Sequence, residues 1–244
     1  MKQLLFILFI ISLNTFSQSI KVGNSKNINK TVVDYEKKEL YVFYKDSLSI
    51  IDLVNFKKIS NSKIIYPVDK STRMYPVCVK SKIYFINNQG GIVHLLEDKE
   101  VKRIDNSFNH KMQNESSVFS YNDTIYRYGG YGFWSQRNFF TFFNTENFEW
   151  SVVPPIGSKV LPSGSQGSTI KINKDDFYIY GGRTLNKFNP LEYRINDEVW
   201  SFNTNEKSWR LLGKTDVDFT DFNFDFSYKD KHIFYNQDDD YIYL

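Results

Sequence analysis

The residues able to do chemistry in this chain are few and scattered. His94, His110 and His232 stand far apart along the chain, and no two of them have the close spacing of a zinc-ligand pair. Cys78 is the only cysteine, so neither an internal disulfide nor a cysteine metal cluster can form. No G-x-S-x-G nucleophile turn is present. Carboxylates cluster twice, in "DVDFTDFNFD" (Asp216, Asp218, Asp221, Asp225) and in "DDD" (Asp238 to Asp240). A calcium loop also needs a glycine at its sharp turn, and neither stretch has one. Both read as solvated loops. No catalytic residue, metal or cofactor is assigned.

Binding chemistry is better represented. "YGFWSQRN" lies between Gly130 and Phe139, and "RTLNKFNPLEYRINDE" lies between Gly182 and Val199. Together they carry Tyr131, Trp134, Arg137, Arg183, Lys187, Phe188, Tyr193 and Arg194. Aromatic rings beside planar guanidinium donors suit protein hot spots and sugar stacking alike. The expectation is one shared patch that takes an acidic glycan or a protein segment. The alternative expectation is that the arginines pair internally with Glu192, Asp197 and Glu198.

Two such loops can meet only if the elements around them repeat, and they do. "DTIYRYGG" and "DDFYIYGG" are near copies, and weaker copies are "YEKKELYVF", "VKSKIYFI" and "YKDKHIFY". Their anchor residues Leu40, Ile83, Ile125, Phe177 and Ile233 recur every 42 to 56 residues. Before each anchor stands a polar turn, and before that an apolar stretch, which reads as a β-hairpin of strands a and b. A third strand, c, follows in all five units and a fourth, d, in the first four. A period of about 40–50 residues with four strands per unit points to a β-propeller blade. Aromatics at 18% favour strands.

Units three and four go further. Gly129-Gly130 precedes Phe143 and Trp150, and Gly181-Gly182 precedes Phe202 and Trp209, with six residues between each Phe and its Trp. This resembles the kelch repeat of the galactose-oxidase-like superfamily, with Phe where kelch more often has Tyr. The resemblance implies an all-β, kelch-like β-propeller in which the glycines end strand b and the aromatics fill the space between blades. It covers units three and four in full and the others by strand rhythm alone. It also implies an alternative function, a carbohydrate-active enzyme such as a sialic-acid epimerase or a copper radical oxidase. No tyrosine and histidine set for copper can be assigned here.

The units span about 31–68, 74–112, 115–157, 167–214 and 223–244, the last without a strand d. Residues 19–25 resemble the earlier d strands, and the expectation is that they complete the fifth blade, since closure removes open sheet edges. The alternative is part of a six- or seven-bladed propeller. Residues 1–17 read as a signal peptide: Lys2, an apolar run from Leu4 to Leu13, and small residues before Gln18. The run is about half a membrane span. The expected mature chain, 18–244, is one secreted domain in the periplasm, at the cell surface or outside the cell. A formal charge of +3 gives no concentrated basic face, which argues against nucleic acid. A monomer is expected.

Overall fold

The structure is a computed structural model that describes residues 28–244 apart from 45, 67–73, 88–89, 107–111, 157, 187, 190–191, 219–223, 229–230, 237–240 and 244, with strand backbone alone from 224 onwards. The leader at 1–17 and the closing segment at 19–25 therefore lie outside the described residues. The chain is all-β, and its strands form antiparallel sheets in chain order.

The first sheet holds β1 (Ile28–Asp34), β2 (Glu39–Tyr44), β3 (Ser47–Asp52) and β4 (Lys57–Lys63). The second holds β5 (Met74–Val79), β6 (Lys82–Asn87), β7 (Val93–Glu97) and β8 (Glu100–Arg103). In the third, β9 (Ser117–Tyr121) and β10 (Thr124–Tyr128) are separated in sequence from β13 (Phe140–Asn144) and β14 (Glu149–Val153) by a small hairpin. That hairpin is β11 (Tyr131–Gly132) with β12 (Ser135–Gln136). The fourth sheet repeats the scheme. Its strands are β15 (Thr169–Asn173), β16 (Asp176–Tyr180), β19 (Glu198–Asn203) and β20 (Ser208–Lys214), and its inserted hairpin is β17 (Arg183–Leu185) with β18 (Tyr193–Ile195). A last sheet contains β21 (Phe224–Tyr228), β22 (Lys231–Asn236) and β23 (Tyr241–Tyr243).

In the second and third sheets the first two strands are joined by two-residue turns, Lys80-Ser81 and Asn122-Asp123, with both residues at positive φ. Such two-residue turns twist in the sense that right-handed strands require. The first strands also neighbour one another in series: β1 beside β5, β5 beside β9, and β9 beside β15. The first four sheets are thus packed in series, and the described core lies between them. Tyr41, Phe43, Ile83 and Phe85 join the first sheet to the second. Ile86 and Val93 meet Phe143 and Trp150 between the second and third. Tyr128 and Phe140 meet Phe177, Phe202 and Trp209 between the third and fourth.

The repeated Phe and Trp are the centre of this packing. Phe143 stands directly opposite Trp150 across β13 and β14, and Phe202 opposite Trp209 across β19 and β20. Trp150 is fully buried; its indole N–H donates to Gly91 O at 2.6 Å. The Arg127 guanidinium lies 3.8 Å from its ring centroid. Trp209 stacks on Phe140 of the preceding sheet at 5.4 Å. The paired glycines permit close crossing of backbones. A Cβ on Gly130 would stand 2.7 Å from the Gln113 carbonyl carbon, and one on Gly182 would stand 2.5 Å from Gln166 O. Both have positive φ, so glycine is required twice over.

Candidate binding face

The two insertions form twisted hairpins that leave the same end of their sheets. Each is fixed at its base by the segment that enters its own sheet. Asn114 pairs with Tyr131 in both backbone directions at 2.8 Å, and Gln166 pairs with Arg183 at 2.9 and 2.8 Å. The hairpins then meet. Gln136 at the end of β12 donates from Nε2 to Arg183 O (2.9 Å) and to Gln166 Oε1 (3.2 Å). Its Oε1 accepts from Leu185 N (2.6 Å) and Thr184 Oγ1 (3.2 Å). One amide side chain thereby saturates its hydrogen-bonding capacity across the junction and holds the two insertions as one surface.

The arginines are committed within that surface. Arg183 Nη2 pairs with Glu115 Oε2 at 3.1 Å, and Gln166 Nε2 donates to the same oxygen. Arg194 Nη1 lies 3.6 Å from Asp197 Oδ1. The sequence expectation of Asp197 as an internal partner thus matches for Arg194, whereas Glu198 instead accepts from Trp200 Nε1 and Ser163 N. Lys214 donates to Asp197 at 2.7 Å, and this bond holds the Asp197 carboxyl below its ordinary range. Arg183 also lies 5.5 Å from the Tyr193 ring centroid, and Arg137 lies 6.0 Å from that of Phe133 and 5.8 Å from that of Phe139. These guanidiniums lie within cation–π range of rings that stay partly exposed.

The rings themselves are exposed. Trp134 is 91% accessible and Phe188 98%, with Phe133, Tyr193 and Ile195 about half exposed. Tyr131 and Arg137 are partly buried, Arg183 exposed and Arg194 intermediate, while Lys187 lies outside the described residues. The tip of the first hairpin has the backbone of the turns at Lys80-Ser81 and Asn122-Asp123 but carries two aromatic residues. Gly132 pairs with Ser135, so Phe133 and Trp134 are the two central residues, at φ +50° and +63°. A two-residue turn with both central φ positive normally takes Asn-Gly or Asp-Gly. Bulky residues pay strain there, and strain of this kind collects at functional positions. Sequence reading did not single out Phe133, Glu115 or Gln136. The dipeptide Phe-Trp gives no turn signal, and Glu115 is far from Arg183 in sequence.

His94 is buried in β7 with no hydrogen-bond partner for Nδ1 among the described residues, and burial lowers its pKa. His110 lies outside the described residues. Among the described residues no group of three His, Cys, Asp or Glu is placed to hold a metal ion, and no helix is long and apolar enough to cross a membrane. Neither the known protein-family models nor the curated proteins include a match to this chain.

Proposed function

We propose that this chain is a secreted, kelch-like β-propeller of five blades that acts by binding, through the paired b–c hairpins, to a glycan or a protein segment outside the cytoplasm. The serial contact of first strands and the three inter-sheet clusters support the propeller reading. In that reading residues 19–25 supply the missing strand beside β23. The observation that carries the binding reading is the Phe133-Trp134 turn. It presents the Trp134 indole, 91% accessible, at the tip of a hairpin that Gln136 locks to its neighbour.

The ligand is met first by ring faces rather than by free cations. Arg183 and Arg194 each have a carboxylate, so an acidic ligand would have to compete with Glu115 and Asp197. Flat apolar surface with polar edges suits stacking on a sugar ring or capture of a protein loop. The test compares wild type with a Trp134→Ala, Phe188→Ala, Tyr193→Ala variant on a glycan array and in pull-downs from the envelope fraction of the native host. The variant is expected to keep its circular dichroism spectrum and lose the partners of the wild type. If it retains all of them, the binding face is elsewhere.

A further inference from the structure

The opposite end of the sheets has a different chemistry. There the turns between first and second strands of successive sheets are tied side by side. Ser81 Oγ donates to Glu36 Oε2 at 3.0 Å, linking the first turn to the second. Lys80 Nζ stands 3.8 Å from Asp123 Oδ2, linking the second to the third. Tyr121 Oη donates to Asp175 Oδ1 at 3.0 Å, linking the third to the fourth. Between the first three turns opens a cavity of about 240 Å³, room for about eight waters. Its wall includes Asp34, Glu36, Cys78, Lys80, Tyr121 and Asp123.

Asp34 is the informative member of that wall. Its side chain is only 1% exposed. Oδ1 accepts from the backbone N–H groups of Glu36 (3.0 Å) and Lys37 (3.1 Å), which fixes the first turn. Oδ2 is sealed from solvent and has no hydrogen-bond partner among the described residues. The ammonium of Lys37, on a half-exposed side chain, stands 4.0 Å away, outside hydrogen-bonding reach. A buried carboxylate oxygen with no donor is costly, and a ligand donor removes that cost. The named wall residues set three carboxylates against one ammonium. Among the described residues these carboxylates do not converge on a point as metal ligands must.

We propose that this cavity binds a small organic cation, a primary ammonium or a guanidinium, whose N–H groups donate to Asp34 Oδ2 and displace Lys37 from it. Such a cation spreads its donors over several ångströms, which fits separated carboxylates better than a metal ion does. The thiol of Cys78 in the same wall is consistent with a negative setting: burial first, and the Asp34 charge second, push it up to about 11. The cation is either a free amine or the side chain of a lysine or arginine on a partner.

Calorimetric titration of the mature chain tests this, with agmatine as the free cation, acetyl-Gly-Arg-Gly-amide as the peptide-borne one, and butanol and succinate as neutral and anionic controls. Agmatine, the peptide or both should bind, and whichever binds identifies the source. Asp34→Asn keeps the turn-fixing oxygen but replaces Oδ2 with an N–H₂ donor, and should weaken binding by at least about tenfold. No binding of either cation, equal binding of succinate, or an unchanged affinity in Asp34→Asn overturns the proposal. A second measurement needs no variant, because Cys78 is the only thiol. A cationic methanethiosulfonate should modify Cys78 faster than an anionic one, relative to their rates on free cysteine, and agmatine should slow the reaction. A ratio at or below that of free cysteine also overturns it.

Discussion

Replacing Phe133-Trp134 with Asn-Gly should make the protein more stable and less able to bind. Both residues sit at positive φ in a two-residue hairpin turn, +50° and +63°. The left-handed conformation costs a bulky residue about 1–2 kcal/mol, and Asn-Gly removes most of that at both positions. Against this stands the loss of partial burial of Phe133 and its contact with Arg137, together about 1 kcal/mol. Trp134 contributes little to the other side because its ring is almost wholly in solvent. The net gain is about 1–2 kcal/mol, a rise in Tm of about 2–8 °C for a chain of this size. Differential scanning calorimetry reads the stability and a glycan array or envelope pull-down reads the binding. A fall in Tm shows that the tip is packed rather than strained. A rise in Tm with binding intact shows that the strain serves something other than the ligand.

Further outcomes follow from the core and the termini. Trp150→Ala should cost about 3–5 kcal/mol in a urea melt, because it empties the space between the second and third sheets, while Trp134→Ala should be near neutral. Equal acrylamide quenching of single-Trp proteins retaining Trp134 or Trp150 would contradict that difference. Burial lowers the pKa of His94, so the unfolded chain takes up its proton first as the pH falls below about 6.5. Stability should therefore decline by up to about 1.4 kcal/mol per pH unit below that point, and His94→Gln should flatten the decline measured by Tm between pH 5 and 8. A chain beginning at Lys26, which keeps β1 whole, should melt lower and aggregate more than one beginning at Gln18, if residues 19–25 cover the β23 edge. Equal melting temperatures would remove that closure.

The sheets were legible because their information is local and periodic. Alternating apolar residues and polar turns mark each hairpin, and the six-residue gap between Phe143 and Trp150 is what places them opposite each other across a four-residue turn. The inserted hairpins were legible as loops but not as strands. β11 and β12 are two residues each, too short for any alternation, and their turn carries none of the residues that normally announce one. The fate of the arginines was not legible either. Glu115 meets Arg183 only because the Gln166 and Arg183 backbones pair and the Gln166 side chain shares Glu115 with Arg183. That geometry is a property of three segments at once. The lone histidines could be read as structural, yet the burial of His94 depends on how the second sheet packs.

The attachment of the hairpins explains how a surface of this kind can change without endangering the fold. β11–β12 and β17–β18 are held by backbone pairs to Asn114 and Gln166 and by a few polar side chains, chiefly Gln136 and Glu115. None of their exposed aromatics belongs to the three inter-sheet clusters. Backbone pairing is indifferent to side-chain identity, so the tips can accept rings that a core position would reject. The residues that cannot vary are those beneath: Gly130 and Gly182, where any Cβ would collide with backbone, and Trp150 and Trp209, which fill the gaps between sheets. The repeated letters of the sequence are thus the support, and the letters that differ between the third and fourth units, from Tyr131 to Asn138 and from Arg183 to Glu198, are where the proposed binding would be tuned.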